Sequence, residues 1–188
     1  FCSMRNILIV GAGKSSPYLI KYLLDKSQEQ NLYLNITDVT IDHLLHHKKN
    51  NRCTVSTINI LDDKEREEYL LKNDIIISML PARLHMILAN SCLKLKKNLI
   101  TASYVSDEMR GINTGVKDRN LIFLNEMGLD PGIDHMSAKK VIDKLKENSC
   151  SIYSFKSYTG GLIAPESDNN SWNYKFTWNP RNVVLAGQ

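Results

Sequence analysis

Aromatic residues are sparse in this chain of 188 residues, at 7%. No apolar run approaches the roughly 18 residues that a membrane-spanning helix needs, which excludes a helical span. Cysteine is scarce too. Cys2, Cys53, Cys92 and Cys150 lie 51, 39 and 58 residues apart, which matches no zinc or redox spacing, and a chain of this size does not look like a disulfide scaffold. They are expected as reduced thiols of a cytoplasmic protein. The opening, Phe1-Cys2-Ser3-Met4-Arg5, lacks the apolar stretch of a signal peptide, and Met4 is expected as the native start. An excess of one charge is also missing: 24 Lys plus Arg against 20 Asp plus Glu leave +4, too little to argue for nucleic acid. Lys48, Lys49, Lys94, Lys96 and Lys97 fall where helices should end, and cations there complement the helix dipole. No metal is expected. His43, His46 and His47 share a helical spacing but have no carboxylate or thiol companion, and they read as a solvated face.

Hydrophobic residues make up 43% and charged residues 23%, the balance of a globular chain with a core. The length allows one complete domain, or one plus part of another. Short β-rich runs occur at Asn6 to Val10, Leu32 to Thr37, Thr54 to Asn59, Ile75 to Met79, Asn98 to Ala102 and Leu121 to Asn125. Helical patterns lie between them, and that alternation predicts a parallel α/β sheet, doubly wound. Leu84, Ile87, Leu88, Ser91 and Leu95 follow helical spacing and are expected to cover the sheet. Ser106 with Asp107 and Glu108 reads as a helix start. After Asn125, Gly128-Leu129-Asp130-Pro131-Gly132 breaks the pattern. Asp134 and His135 follow as a helix cap, and Ala138, Val141, Ile142 and Leu145 mark one more helix. Ser151 to Tyr158 reads as a strand. The expected division is 1–128 as a nucleotide-binding domain and 129–188 as the opening of a second, α+β domain.

The first strand runs directly into Gly11-Ala12-Gly13-Lys14-Ser15-Ser16. In a dinucleotide fingerprint the first glycine allows a tight turn and the second lets the backbone approach a pyrophosphate, which then rests on the N–H groups of the following helix. Ser16 stands at the third glycine's position. A phosphate-loop reading fails, because its first glycine would fall on Leu8. Asp38 ends the second strand 25 residues beyond Gly13. A carboxylate there can accept both ribose hydroxyls of NAD and repels a 2′-phosphate. With no arginine in the next ten residues, NAD is favoured and NADP kept as the alternative. The tips Ser78-Met79-Leu80-Pro81 and Thr101-Ala102-Ser103-Tyr104 end strands four and five, the edge where α/β sheets bind ligands.

These tips, with Asn125-Glu126-Met127-Gly128-Leu129-Asp130-Pro131-Gly132-Ile133-Asp134-His135, Gly160-Gly161-Leu162-Ile163-Ala164-Pro165-Glu166 and Tyr174-Lys175-Phe176-Thr177-Trp178-Asn179-Pro180-Arg181, resemble the glutamate-forming saccharopine dehydrogenases, also called saccharopine reductases. The resemblance spans nearly the whole chain. It implies a Rossmann domain followed by a substrate and dimerisation domain, truncated here, and a homodimer at full length. It implies that Gly11, Gly13, Lys14, Ser15 and Ser16 hold the pyrophosphate, Asp38 the ribose, and Ser78 and Leu80 the nicotinamide half, with Ala102, Ser103 and Tyr104 also touching the cofactor. Ser103, Tyr104 and Asp130 would bind the amino-acid substrate, with Tyr104 and Asp130 catalytic and Arg181 and Lys175 as cations for its carboxylates. The implied activity is oxidation of saccharopine by NAD(P)⁺ to glutamate and 2-aminoadipate 6-semialdehyde. A carboxynorspermidine-type reductase and a non-catalytic nucleotide-binding module are the alternatives. Many relatives carry cysteine where Thr159 stands, so no thiol role transfers.

Overall fold

A computed structural model describes residues 3–158, 160 and 163–175 of the chain. Two compact units divide it, residues 1–143 and 144–188. In the first, strands β1 (Arg5–Val10), β2 (Leu32–Asp38), β3 (Cys53–Thr57), β4 (Ile75–Ser78), β5 (Asn98–Thr101) and β6 (Phe123–Leu124) form one sheet. All pairings are parallel, and the order is β3-β2-β1-β4-β5-β6. This is the doubly wound order in which winding reverses between β1 and β4. The expected parallel α/β sheet is the one observed.

Period-two alternation makes the two faces. Ile7 and Ile9 point to one side with Ile20, Leu34 and Ile36, while Leu8 and Val10 point to the other with Leu70, Ile76, Leu88 and Leu99. Strands buried on both faces read as continuous apolar runs for this reason. Helix α1 (Pro17–Ser27) covers the first face; α2 (Asp63–Leu71) and α3 (Ala82–Leu95) cover the second. Asp62 starts α2 by accepting from the Lys64 and Glu65 N–H groups at 2.9 Å. The helix expected after Ser106 is two short pieces, α4 (Asp107–Gly111) and α5 (Asn113–Asp118), and Ser106 Oγ caps the first by accepting from Met109 N–H at 3.2 Å.

Register sets the function-bearing edge. Val10 pairs with Thr37 on one side and Ser78 on the other, and Ser78 pairs with Thr101. The carboxyl ends of β1, β2, β4 and β5 are therefore level.

Helix α6 (Ile133–Glu147) has no buried residue. In the second unit, the expected strand Ser151 to Tyr158 is irregular and exposed. Its alternating aromatics suit a ladder, but it pairs with no strand among the described residues. A short 3₁₀ turn follows at Pro165–Ser167. Asn170 then shapes a turn, accepting from Trp172 N–H at 3.0 Å and donating to the Tyr174 carbonyl at 3.0 Å. Thr159 and Arg181 lie outside the described residues.

Candidate functional site

The glycine turn sits at the reversal point. Gly11 has φ +90°, and a Cβ there would lie 3.0 Å from the Met79 carbonyl carbon. Only glycine fits between β1 and the β4 tip. A Cβ on Gly13 would meet nothing within 4 Å, so open space lies on that side of the turn. Ser16 is 1% exposed, and its hydroxyl donates to the Gly13 carbonyl at 2.8 Å. The departure from a third glycine is thus absorbed by a hydroxyl that closes the turn. Among the described residues, the Gly13, Lys14 and Ser15 N–H groups meet no acceptor. Three bare amides beside open space, at the start of α1, fit a pyrophosphate.

Asp38 reaches back to this turn. Its Oδ2 accepts from Ala12 N–H at 2.5 Å and its Oδ1 from Val39 N–H at 2.6 Å. An ionised carboxylate offers about four lone-pair sites, so two remain for hydroxyls. His43 comes to the same peptide, with Nε2 2.8 Å from the Ala12 carbonyl. It is exposed, as expected of a solvated face, and it also touches this turn. His46 and His47 stack at 3.9 Å, and burial holds the His47 imidazole below the usual histidine range, with His46 adding to it.

At the next tips the arrangement is made of side chains. Ser78 is 1% exposed, so its hydroxyl faces inward, and Met79 and Leu80 are the half-buried residues that follow it. Ser78 Oγ lies 2.8 Å from His85 Nδ1, and His85 Nε2 lies 2.7 Å from Ser103 Oγ. Thr101 Oγ1 stands 3.2 Å from Nε2 and accepts from Ser103 N–H at 3.3 Å. Burial holds the His85 imidazole below its ordinary range. The sequence reading missed this residue. The buried face of α3 runs through His85, Leu88, Ala89, Ser91 and Cys92; of the expected stripe, Leu88 and Ser91 are buried, Leu84 and Leu95 pack at the edge of that core, and Ile87 is half-buried. A histidine at an apolar-spaced position was the available signal.

Tyr104 and Asp130 are both exposed, and the Tyr104 hydroxyl donates to Asp130 Oδ1 at 2.8 Å. That bond, with slight desolvation, raises the tyrosine above its usual range. Sequence reasoning paired these residues, and they are 26 apart. The loop bearing Asp130 is closed on itself: Gly128 N–H donates to the Pro131 carbonyl at 2.9 Å, and Ile133 N–H to the Gly128 carbonyl at 2.9 Å. Gly132 has φ +149°, and a Cβ there would lie 2.6 Å from Gly128 N. Ala102 packs beneath, 3.2 Å from where a Gly128 Cβ would stand. Glu126 N–H donates to the Ser103 carbonyl at 3.0 Å and Met127 N–H to the Thr101 carbonyl at 3.1 Å, tying the loop to the β5 tip. Asp134 Oδ1 accepts from Gly132 N–H at 3.0 Å and pairs with His135 Nδ1 at 2.8 Å. Partial desolvation acts upward on Asp134, but the bonds from His135 and Gly132 outweigh it and hold the carboxyl low. These two residues act at the helix start, as expected.

Comparison with known proteins agrees with this geometry. The family described as "Saccharopine dehydrogenase NADP binding domain" matches residues 7–124, and "Saccharopine dehydrogenase C-terminal domain" matches residues 128–188. Alpha-aminoadipic semialdehyde synthase, mitochondrial, of Rattus norvegicus is 35% identical over 96% of this chain and 19% of its own length. Saccharopine dehydrogenase [NADP(+), L-glutamate-forming] of Saccharomyces cerevisiae is 31% identical over 97% of this chain and 40% of its own. The apo structure of the L-Glu forming yeast enzyme superposes with a TM-score of 0.83 at 31% identity, covering 97% of this chain and 40% of that one. This chain thus spans less than half the length of these relatives. Apo scyllo-inositol dehydrogenase of Lactobacillus casei, at 18% identity and a TM-score of 0.53 over 77% of this chain and 42% of that one, shares the fold alone. With matches that cover the sheet and the region after it, this chain belongs to the saccharopine dehydrogenase family.

Proposed function

We propose that this chain supplies the cofactor site and part of the substrate site of a nicotinamide-dependent oxidoreductase, one that converts saccharopine to glutamate and 2-aminoadipate 6-semialdehyde. In this reading residues 1–128 are the dinucleotide-binding domain and 129–188 open the substrate and dimerisation domain of a homodimer. The observation that carries it is the level edge on which a bare-amide glycine turn, Asp38 and the Tyr104–Asp130 pair follow one another across β1, β2 and β5. Gly11, Gly13, Lys14, Ser15 and Ser16 hold the pyrophosphate. Leu80, the strand-end backbone at Ser78, and Ala102 border the nicotinamide half. Ser103, Tyr104 and Asp130 receive the substrate. No metal enters the scheme.

The dinucleotide supplies the hydride acceptor when bound. For glutamate to leave with its nitrogen, the carbon oxidised must be the one on the aminoadipate side of that nitrogen; oxidation at the glutamate α-carbon would release 2-oxoglutarate and lysine instead. The chain's own tasks are to hold that carbon close and aligned and to manage the amine proton. Asp130 accepts the proton, and the Tyr104 hydroxyl, donating to Asp130, fixes the carboxylate's orientation. Water then hydrolyses the carbon–nitrogen double bond.

The cofactor form rests on two opposed supports. The fungal relatives are named for NADP(+), as is the matching family domain. Asp38, with two lone pairs left at the ribose position, supports NAD. We favour NAD for this chain, and calorimetric titration of the full-length protein with both dinucleotides decides. NADH formation with saccharopine then tests the activity. Turnover of carboxynorspermidine instead supports the related reductase, and binding of cofactor with neither substrate turned over supports a non-catalytic module. A cytoplasmic location is our reading, although the rat, mouse and cattle relatives are named mitochondrial; imaging of the tagged full-length protein separates the two. Among the described residues no helix is long and apolar enough to cross a membrane.

A further inference from the structure

The buried triplet under the β4 and β5 tips has a direction. Ser78 is 1% exposed, His85 5% and Thr101 2%, while Ser103 is half-buried. Among the described residues the only partner of the Ser78 hydroxyl is His85 Nδ1 at 2.8 Å. A buried O–H left without an acceptor carries a desolvation penalty, so the Ser78 hydrogen goes to Nδ1, which must then be the bare nitrogen. Burial disfavours the charged imidazole, and a neutral imidazole with Nδ1 accepting carries its proton on Nε2. Nε2–H points at Ser103 Oγ, 2.7 Å away. The Ser103 oxygen is thereby an acceptor inside the protein, and its own hydrogen is left for the open side. Thr101, close to the ring and accepting from Ser103 N–H at 3.3 Å, fixes the serine's backbone relative to the imidazole. The opposite tautomer would strand the Ser78 hydrogen in the interior, whereas with Nδ1 bare the equally buried Thr101 hydroxyl, 3.4 Å from Nδ1, can share that acceptor with the closer Ser78.

We infer that His85 is a positioning residue that commits the Ser103 hydroxyl to donate outward, making it a built-in recognition point for an acceptor group such as a substrate carboxylate. The inference rests on the reading above that Ser103 faces the substrate. It assigns His85 no contact with either ligand: its effect passes through Ser103.

Two measurements on the full-length protein test it. The first does not depend on activity: ¹⁵N-detected NMR of the His85 ring is expected to show a protonated Nε2 and a bare Nδ1, and the reverse pattern overturns the inference. The second is kinetic. Ser103→Ala is expected to raise the KM for saccharopine about 10- to 100-fold, the range for a bond to a charged group. His85→Gln keeps an amide N–H near the Nε2 position and is expected to stay near the unsubstituted KM. His85→Asn places its amide near Nδ1, leaves Ser103 without its donor, and is expected to approach the Ser103→Ala value. Adding His85→Asn to Ser103→Ala is expected to change KM no further, since both remove one interaction. Equal behaviour of the Gln and Asn variants, or additive losses in the double variant, overturns the proposal. If the unsubstituted protein does not turn over saccharopine, the proposed function fails, while the NMR result still decides the direction of the hydrogen bonds.

Discussion

The two ends of the level edge are built from different material. At β1 the groups offered to a ligand are backbone amides, held by glycine geometry and by the grip of Asp38 on Ala12 N–H, with the rest of the Asp38 carboxylate added at the end of β2. At β4 and β5 they are side chains: a buried Ser78–His85–Ser103 chain and an exposed Tyr104–Asp130 pair. A backbone-made cradle suits a ligand part that never varies, such as a pyrophosphate. Side chains suit the part where substrate identity and proton chemistry are decided. Substitutions at the two ends should therefore fail in different observables.

The largest effect is expected at the side-chain end. Asp130→Asn should lower kcat/KM by about 10²- to 10⁴-fold, the usual contribution of a positioned proton-transfer group, with dinucleotide affinity little changed, and Tyr104→Phe, which loses only the bond that orients Asp130, should lower it by less. The pH profile adds a signed check. Hydrogen bonding to Asp130 raises the Tyr104 pKa, so its neutral form persists above the ordinary tyrosine range and the alkaline fall in rate begins late. In Asp130→Asn that limb should move to lower pH; an unmoved limb would assign it to another group.

Gly11→Ala comes next and acts on the fold. Its Cβ would press on Met79 at φ +90°, and urea unfolding should register a loss of about 1–3 kcal/mol from overpacking. Gly13→Ala enters open space and should stay within about 0.5 kcal/mol, yet weaken dinucleotide binding. Similar stability losses at both would break the distinction between a glycine needed by the chain and one needed by the ligand.

Asp38→Ala should weaken NAD by about 1.5–3 kcal/mol in calorimetry and NADP by less; equal losses would remove the ribose contact. The smallest effect concerns thiols. Burial pushes Cys92 up to about 12, whereas Cys150 is exposed. Alkylation at pH 8 should label Cys150 and spare Cys92 until the protein unfolds, with activity unaffected by the label.

The backbone-made end was legible in the sequence because glycine spacing and an abrupt strand-to-helix change leave a one-dimensional trace. The six strands were legible for the same reason, although β6 shrank from the expected Leu121 to Asn125 to two residues; among the described residues it pairs only with β5. The side-chain end was half legible. Tyr104 and Asp130 came from family resemblance, since nothing local joins residues 26 apart. His85 stayed hidden because a polarity pattern counts histidine as surface, while packing on α3 turned it into the core. The contact that the exposed His43 makes with the Ala12 carbonyl was hidden too, because the two are 31 residues apart, beyond the reach of helical spacing. Ser151 to Tyr158 carried a strand's alternation without a neighbour to complete a ladder, which no local pattern reveals.

The self-closed hook between Gly128 and Ile133 limits how this family member can change. The Gly128 and Ile133 amides close it on itself and Gly132 admits no side chain, so drift within the hook cannot re-aim the carboxylate at its apex without breaking that closure. New specificity has to arrive by exchanging what stands opposite that fixed point.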